Sequence, residues 1–168
     1  MRGKRDDAAA SLKFLTTVAR KSERELVASR TFDAPARLVF EAWTKVDLFK
    51  RWWIPASYGM NVLSCEMDVR LGGGYRLEIQ HQASGQTMAF FGTYLDVVPN
   101  TRLVWTNEES EGGAVTTVTF EDAEGKTRVT LVERYPTKET CDAALEGSAG
   151  ALPDQFAQLD DFLRAAAR

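Results

Sequence analysis

Near the C-terminus the chain reads Ala151-Leu152-Pro153-Asp154-Gln155-Phe156-Ala157-Gln158-Leu159-Asp160-Asp161-Phe162-Leu163. Leu152, Phe156, Leu159, Phe162 and Leu163 recur at three- and four-residue spacing, so they line one side of a helix ending near Ala166. Pro153 belongs in a first turn, which predicts a bend or restart near Ala151. A helix with so long an apolar stripe must lie on an apolar surface. The preceding sequence supplies that surface as strands. Between the two, Thr137 reads as the cap of a shorter helix through Leu145, and the segment Gly147 to Gly150 weakens it.

Working back, Thr127–Arg134, Val115–Glu121, Arg102–Thr106 and residues 87–98 read as strands. Glu124-Gly125, Glu111-Gly112-Gly113 and Pro99-Asn100 turn the chain between them. Earlier, Tyr75, Leu77, Ile79 and His81 alternate with polar residues, and Ser84-Gly85 marks a hairpin. Val62–Arg70 alternates as well, with Leu63, Cys65, Met67 and Val69 on one face and Ser64, Glu66, Asp68 and Arg70 on the other. Gly72-Gly73-Gly74 starts the turn between these two strands. Strands in direct succession with short turns make an antiparallel sheet.

Toward the N-terminus, a first strand covers about 24–32. Asp33 reads as an N-cap with Pro35 in the first turn, opening a helix whose apolar face is Leu38, Val39, Ala42 and Trp43. Asp47 reads as a second N-cap, for a helix through Phe49 to Trp53 that Pro55 ends. Residues 1–22 read as an extension, with Leu12, Leu15 and Ala19 predicting a helix over Ala8–Arg20. Residues 23–168 form one domain of the α+β class: a bent antiparallel sheet of six to seven strands, two short helices after the first strand, and a long C-terminal helix over the sheet.

Composition narrows the chemistry. The 168 residues contain one histidine, His81, and two cysteines, Cys65 and Cys141. That scarcity excludes zinc sites built from several imidazoles or thiolates, and excludes a disulfide framework. The net charge of -3 lacks the basic surplus of a nucleic-acid binder. No segment has the length and hydropathy of a membrane span, and the N-terminus lacks the apolar core of a secretory signal. The expected compartment is the cytoplasm, with reduced thiols and no cofactor.

Several segments resemble a known family in order and spacing. Phe32-Asp33-Ala34-Pro35, Val39-Phe40-Glu41-Ala42-Trp43-Thr44 and Arg51-Trp52-Trp53-Ile54-Pro55 are similar to the opening of the heat-shock protein 90 ATPase activator homologues. These belong to the START-like, or SRPBCC, superfamily, which also holds polyketide cyclases. Asp68-Val69-Arg70-Leu71-Gly72-Gly73, Gly92-Thr93-Tyr94-Leu95, Pro99-Asn100-Thr101-Arg102-Leu103-Val104 and Thr127-Arg128-Val129-Thr130-Leu131 continue the resemblance. It implies a helix-grip fold with a cavity for an apolar ligand between sheet and helix. Two positions depart from the family. Ala151-Leu152 stands where a glycine-tryptophan pair is common, and residues 1–24 are too short for the extra N-terminal domain of eukaryotic co-chaperones.

Strand parity and the resemblance together select a ligand-binding set: Trp53, Tyr58, Leu77, Ile79, His81, Phe90, Trp105, Leu152 and Phe156, with His81 or Glu133 as the polar contact. His81 equally fits a half-exposed residue beside a hairpin turn. Glu133 shares parity with Val129 and Leu131, and a carboxyl in an apolar cavity acquires a raised pKa. Glu66, Asp68 and Arg70 fit a structural set at the glycine turn. The expected function is binding of a small, largely apolar molecule. A cyclase- or aromatase-like enzyme would need His81, Glu133 or Tyr94 to converge. Association as a homodimer through edge strands, or with a chaperone, is the third class.

Overall fold

The computed structural model describes residues 16–109, 113–147 and 150–166. Among the described residues eight strands form one antiparallel sheet: β1 (Thr17–Ser22), β2 (Glu25–Phe32), β3 (Met60–Met67), β4 (Gly74–His81), β5 (Thr87–Val98), β6 (Arg102–Thr106), β7 (Val115–Ala123) and β8 (Lys126–Arg134). Their order across the sheet is β1-β2-β8-β7-β6-β5-β4-β3. The helices are α1 (Ala36–Thr44), α2 (Val46–Phe49), α3 (Lys138–Glu146) and α4 (Ala151–Ala166), with a single 3-10 turn at Ala56–Tyr58. The chain has the α+β, helix-grip architecture, with one strand more than the sequence predicts. Among the described residues no helix is long and apolar enough to cross a membrane.

The additional strand is β1. The predicted helix over Ala8–Arg20 fails at Thr17–Arg20, where the chain is extended and pairs with β2 from Thr17↔Ser29 to Ser22↔Glu25. Residues 1–15 lie outside the described residues. The edge of β2 explains the outcome. Its unpaired N–H and C=O groups are satisfied by a neighbouring strand, and β-branched Thr17 and Val18 suit one. Val18 also packs against the core.

The helix starts differ by a residue or two. Pro35, not Asp33, is the N-cap of α1, with extended φ and ψ and no side-chain bond. A proline holds the residue before it extended, so the helix starts only beyond Ala34-Pro35. Lys45 caps α2, leaving Asp47 in its first turn, and α2 gives way to turns after Phe49. At α3, Thr137 caps as expected: its Oγ1 accepts from the Thr140 amide at 3.1 Å, and Thr140 Oγ1 accepts from the Thr137 amide at 3.3 Å. Helix α4 begins at Ala151, with Pro153 in its first turn, where its missing N–H costs nothing.

Strand β3 carries a bulge that overturns part of its expected facing. Val62 pairs with Ile79 and Ser64 with Glu78, so Leu63 is left out of the ladder and is 50% exposed. Val69 lies beyond the strand, in the turn closed by the Asp68 amide donating to Gly74 O at 2.9 Å. A Cβ at Gly73 would lie 2.0 Å from Asp68 O, so that turn admits only glycine there.

The sheet bends at β5. Its first half pairs with β4 up to Gly74↔Thr93, and its second half pairs with β6 from Tyr94↔Trp105, with a register shift before Asp96. A Cβ at Gly92 would lie 1.9 Å from Thr106 O, so the close approach at the bend depends on this glycine.

Helix α4 lies against β2 and α1. Phe156 meets Phe32 edge-on at 5.8 Å and Trp43 at 6.2 Å. Asp160 of α4 pairs with Arg30 of β2 at 3.4 Å, both side chains about nine-tenths buried. The Arg164 guanidinium also donates to Asp160, at 2.8 Å. Trp43 packs on Trp52 at 4.7 Å, and the Trp52 indole N–H donates to Ala42 O at 2.9 Å.

Candidate functional site

Between the bent sheet and residues 140–155 lies a cavity of about 720 Å3. Volumes of roughly 300–1,000 Å3 hold drug-sized molecules. Alternate strand positions supply one wall: Leu77 and Ile79 from β4, Phe90 and Tyr94 from β5, Trp105 from β6. Ala143 and Ala144 of α3, with Ala151 and Leu152 of α4, face them. The short side chains of Ala143, Ala144 and Ala151 leave the volume open. Trp53, Ile54, Pro55 and Tyr58 also border it.

Two glutamines of α4 fix that last segment. Gln155 Nε2 donates to Trp53 O at 2.8 Å, and Gln158 Nε2 donates to Trp52 O at 2.7 Å and Ile54 O at 2.9 Å. Gln158 Oε1 accepts from the Ala56 amide at 2.8 Å. A segment without regular structure thus has its backbone groups satisfied by the helix it packs on.

Of the residues selected from sequence, Trp53, Tyr58, Leu77, Ile79, Phe90, Trp105, Glu133 and Leu152 border the cavity. His81 and Phe156 do not. His81 ends β4 at its hairpin, and its Nδ1 accepts from the Ser84 amide at 3.1 Å. Strand parity held for His81, but the cavity closes before the strand ends. Phe156 is fully buried one turn beyond Leu152, where α4 meets Phe32 and Trp43 and no space remains. Tyr94 and Glu133 border the cavity while His81 lies outside it, so those three groups do not converge. Asp68 and Arg70 pair at 2.8 Å beside the glycine turn.

The polar wall is acidic. Glu133 Oε2 accepts from the Tyr135 hydroxyl at 2.5 Å. Burial pushes the Glu133 carboxyl above its ordinary range; the Tyr135 bond opposes this and the charge of Glu109 adds to it. Glu109 borders the same cavity, and its Oε2 is buried without a hydrogen-bond partner. Nearby, the Tyr75 hydroxyl donates to Thr106 O at 2.8 Å. Asn107 Nδ2 donates to Ala114 O at 2.7 Å and Thr116 Oγ1 at 2.9 Å. Burial raises the Tyr75 and Tyr94 hydroxyls far above neutrality, so both act as neutral groups. Burial also raises the Cys65 thiol, which borders the cavity protonated. The Trp43 indole N–H is buried without a hydrogen-bond partner, packed among aromatic rings.

Sequence reasoning missed Glu109, Tyr135, Asn107 and Gln155. Tyr135 was accessible by extending the parity of Leu131 and Glu133 by one step. Gln155 was accessible as a polar residue three positions after Leu152 on the apolar face of the helix. Glu109 and Asn107 follow β6 in irregular chain, which has no period to read.

The sequence matches the family described as Activator of Hsp90 ATPase homolog 1-like protein over residues 33–164. No curated protein matches it. Solved structures are similar over nearly their whole length. A Rhodobacter sphaeroides protein is 24% identical, with 89% of this chain and 98% of that one covered and a TM-score of 0.79. A Nitrosomonas europaea protein is 21% identical, with 88% and 98% covered and a TM-score of 0.78. An AHSA1-like protein from Aeromonas hydrophila is 19% identical, with 84% and 94% covered and a TM-score of 0.63. These likenesses agree with the fold described above, and the extent of the family match decides the classification: the chain belongs to the Activator of Hsp90 ATPase homolog 1-like family.

Proposed function

We propose that the protein takes up a small, largely apolar molecule in the cavity between the sheet and α4. The observation that carries this reading is the cavity itself: about 720 Å3 of open space beside a core of buried aromatic and aliphatic side chains. Interiors normally leave few voids larger than a water molecule. Aromatic and aliphatic walls with a few polar groups match the general build of ligand sites.

Native mass spectrometry of freshly purified protein tests the reading. The expected result is a mass excess that disappears on denaturation and yields a small molecule on extraction. N-phenyl-1-naphthylamine, a neutral apolar fluorophore, provides the second measurement. Its emission rises on entering the cavity of ligand-stripped protein. No mass excess together with no enhancement of this fluorophore rejects the proposal.

A further inference from the structure

We infer that the molecule this cavity takes is an organic cation, an apolar body bearing a protonated amine that sits between Glu109 and Glu133. The inference rests on the cavity being the ligand site and adds the chemical class of its occupant.

The lining of the cavity is unbalanced in charge. Glu109 and Glu133 both border a predominantly apolar space. Buried carboxylates are normally paired, because removing an ion from water is costly. Among the described residues bordering the cavity the other charged groups are Glu66 and Arg76, register partners on β3 and β4, so Arg76 is the one cation against three carboxyls. Arg76 alternates with the inward Tyr75 and Leu77, so it belongs to the outer face of β4. There its Nε donates to Glu78 at 2.8 Å, and its guanidinium lies 5.3 Å from the Phe91 ring centre. It is engaged outside the cavity.

The two carboxyls have acceptor capacity to spare. Glu109 Oε2 is buried with no donor. Glu133 has the Tyr135 hydroxyl, one donor for a group with about four lone-pair sites. Both carboxyls border the same space, and the charge of Glu109 adds to the upward shift of the Glu133 pKa that burial causes. A cation between them removes that repulsion and supplies the missing donors, since an ammonium carries three. A carboxylate or phosphate ligand would instead add a further negative group. A neutral alcohol would leave the charge uncompensated. The aromatic walls fit the same occupant, because ring faces of Trp53, Trp105 and Tyr94 attract cations and accept an apolar body equally well. The unpartnered Trp43 N–H makes no competing demand for an anion, since it lies among rings whose faces accept weakly.

A matched series tests this: 4-phenylbutylamine, 4-phenyl-1-butanol and 4-phenylbutyrate, titrated calorimetrically into ligand-stripped protein at pH 7. The three share one apolar body and differ in terminal charge. The expected order is amine, alcohol, carboxylate, with the amine at least about tenfold tighter than the alcohol. In Glu109→Gln the amine weakens by about tenfold while the alcohol is unchanged. Equal or tighter binding of the alcohol or carboxylate overturns the inference and leaves the cavity reading standing. The inference also falls, with the cavity reading intact, if none of the three binds while N-phenyl-1-naphthylamine does. If that neutral fluorophore also fails, the cavity reading falls and takes the inference with it. The wild-type series decides the question even if the variant folds poorly.

Discussion

Gly92 holds the bend of the sheet by having no side chain. Any Cβ there would lie 1.9 Å from the backbone oxygen of Thr106 and 2.9 Å from a Tyr75 ring carbon. Backbone cannot swing aside as a flexible side chain can, so β5 and β6 would have to separate. Gly92→Ala is therefore expected to lose about 3 kcal/mol, at the upper end of overpacking costs. Urea denaturation reads the loss directly; an unchanged midpoint would mean that the strands part without cost. The residue scale is also where sequence reading was weakest. The aromatic and aliphatic lining from β4 to β6 was legible because alternation encodes facing. Glu109 was not, because its position follows from where irregular chain places it. His81 had the correct parity and still missed the cavity, since parity gives a direction and not a depth.

At the scale of elements, α4 does two jobs with two faces of one surface. Leu152 borders the cavity while Phe156 and Leu159 seal the core. Gln158 ties α4 to residues 52–56 through three hydrogen bonds. Gln158→Ala removes all three. At roughly 1 kcal/mol for each lost bond, the variant is expected to be destabilised by about 2–3 kcal/mol. Amide exchange at Ala56 should accelerate at least as much as the global stability falls. An Ala56 amide as protected as in the wild type would show that packing of Trp52 and Trp53 holds the segment alone. The meander and the C-terminal helix were legible from period and turn residues. Strand β1 was not, because an alanine-bearing stretch meets helical spacing by chance, and only the neighbouring edge of β2 decides for a strand.

For the molecule as a whole, Glu133 links stability to pH. Its pKa in the folded state is raised above the ordinary value near 4.5, chiefly by burial. The unfolded chain therefore releases this proton at lower pH than the folded one. The stability contributed by the protonated form is fully present below the unfolded value and is lost as pH rises through the folded value. Glu133→Gln keeps an acceptor for the Tyr135 hydroxyl and removes the titration. The variant should gain stability relative to wild type as pH is raised above about 4.5, with the difference levelling off once wild-type Glu133 is ionised. Thermal denaturation from pH 4 to 8 measures it. A difference that does not change across that range would show that water reaches the carboxyl freely.

The pairing of β2 with β8 has a consequence for synthesis. Register runs from Glu25↔Arg134 to Phe32↔Thr127, so β2 must wait for β8, made about a hundred residues later. At ~5–20 residues per second, translation leaves that edge of β2 without its partner for on the order of ten seconds. Strand β1 can cover the other edge at once, as a hairpin formed from adjacent residues. During that interval the open edge carries Leu26, Ala28 and Phe32, all destined for the core. The nascent chain is thus most exposed to mispairing late in its production, when the β3–β7 meander already exists and the strand that closes the sheet is still being added.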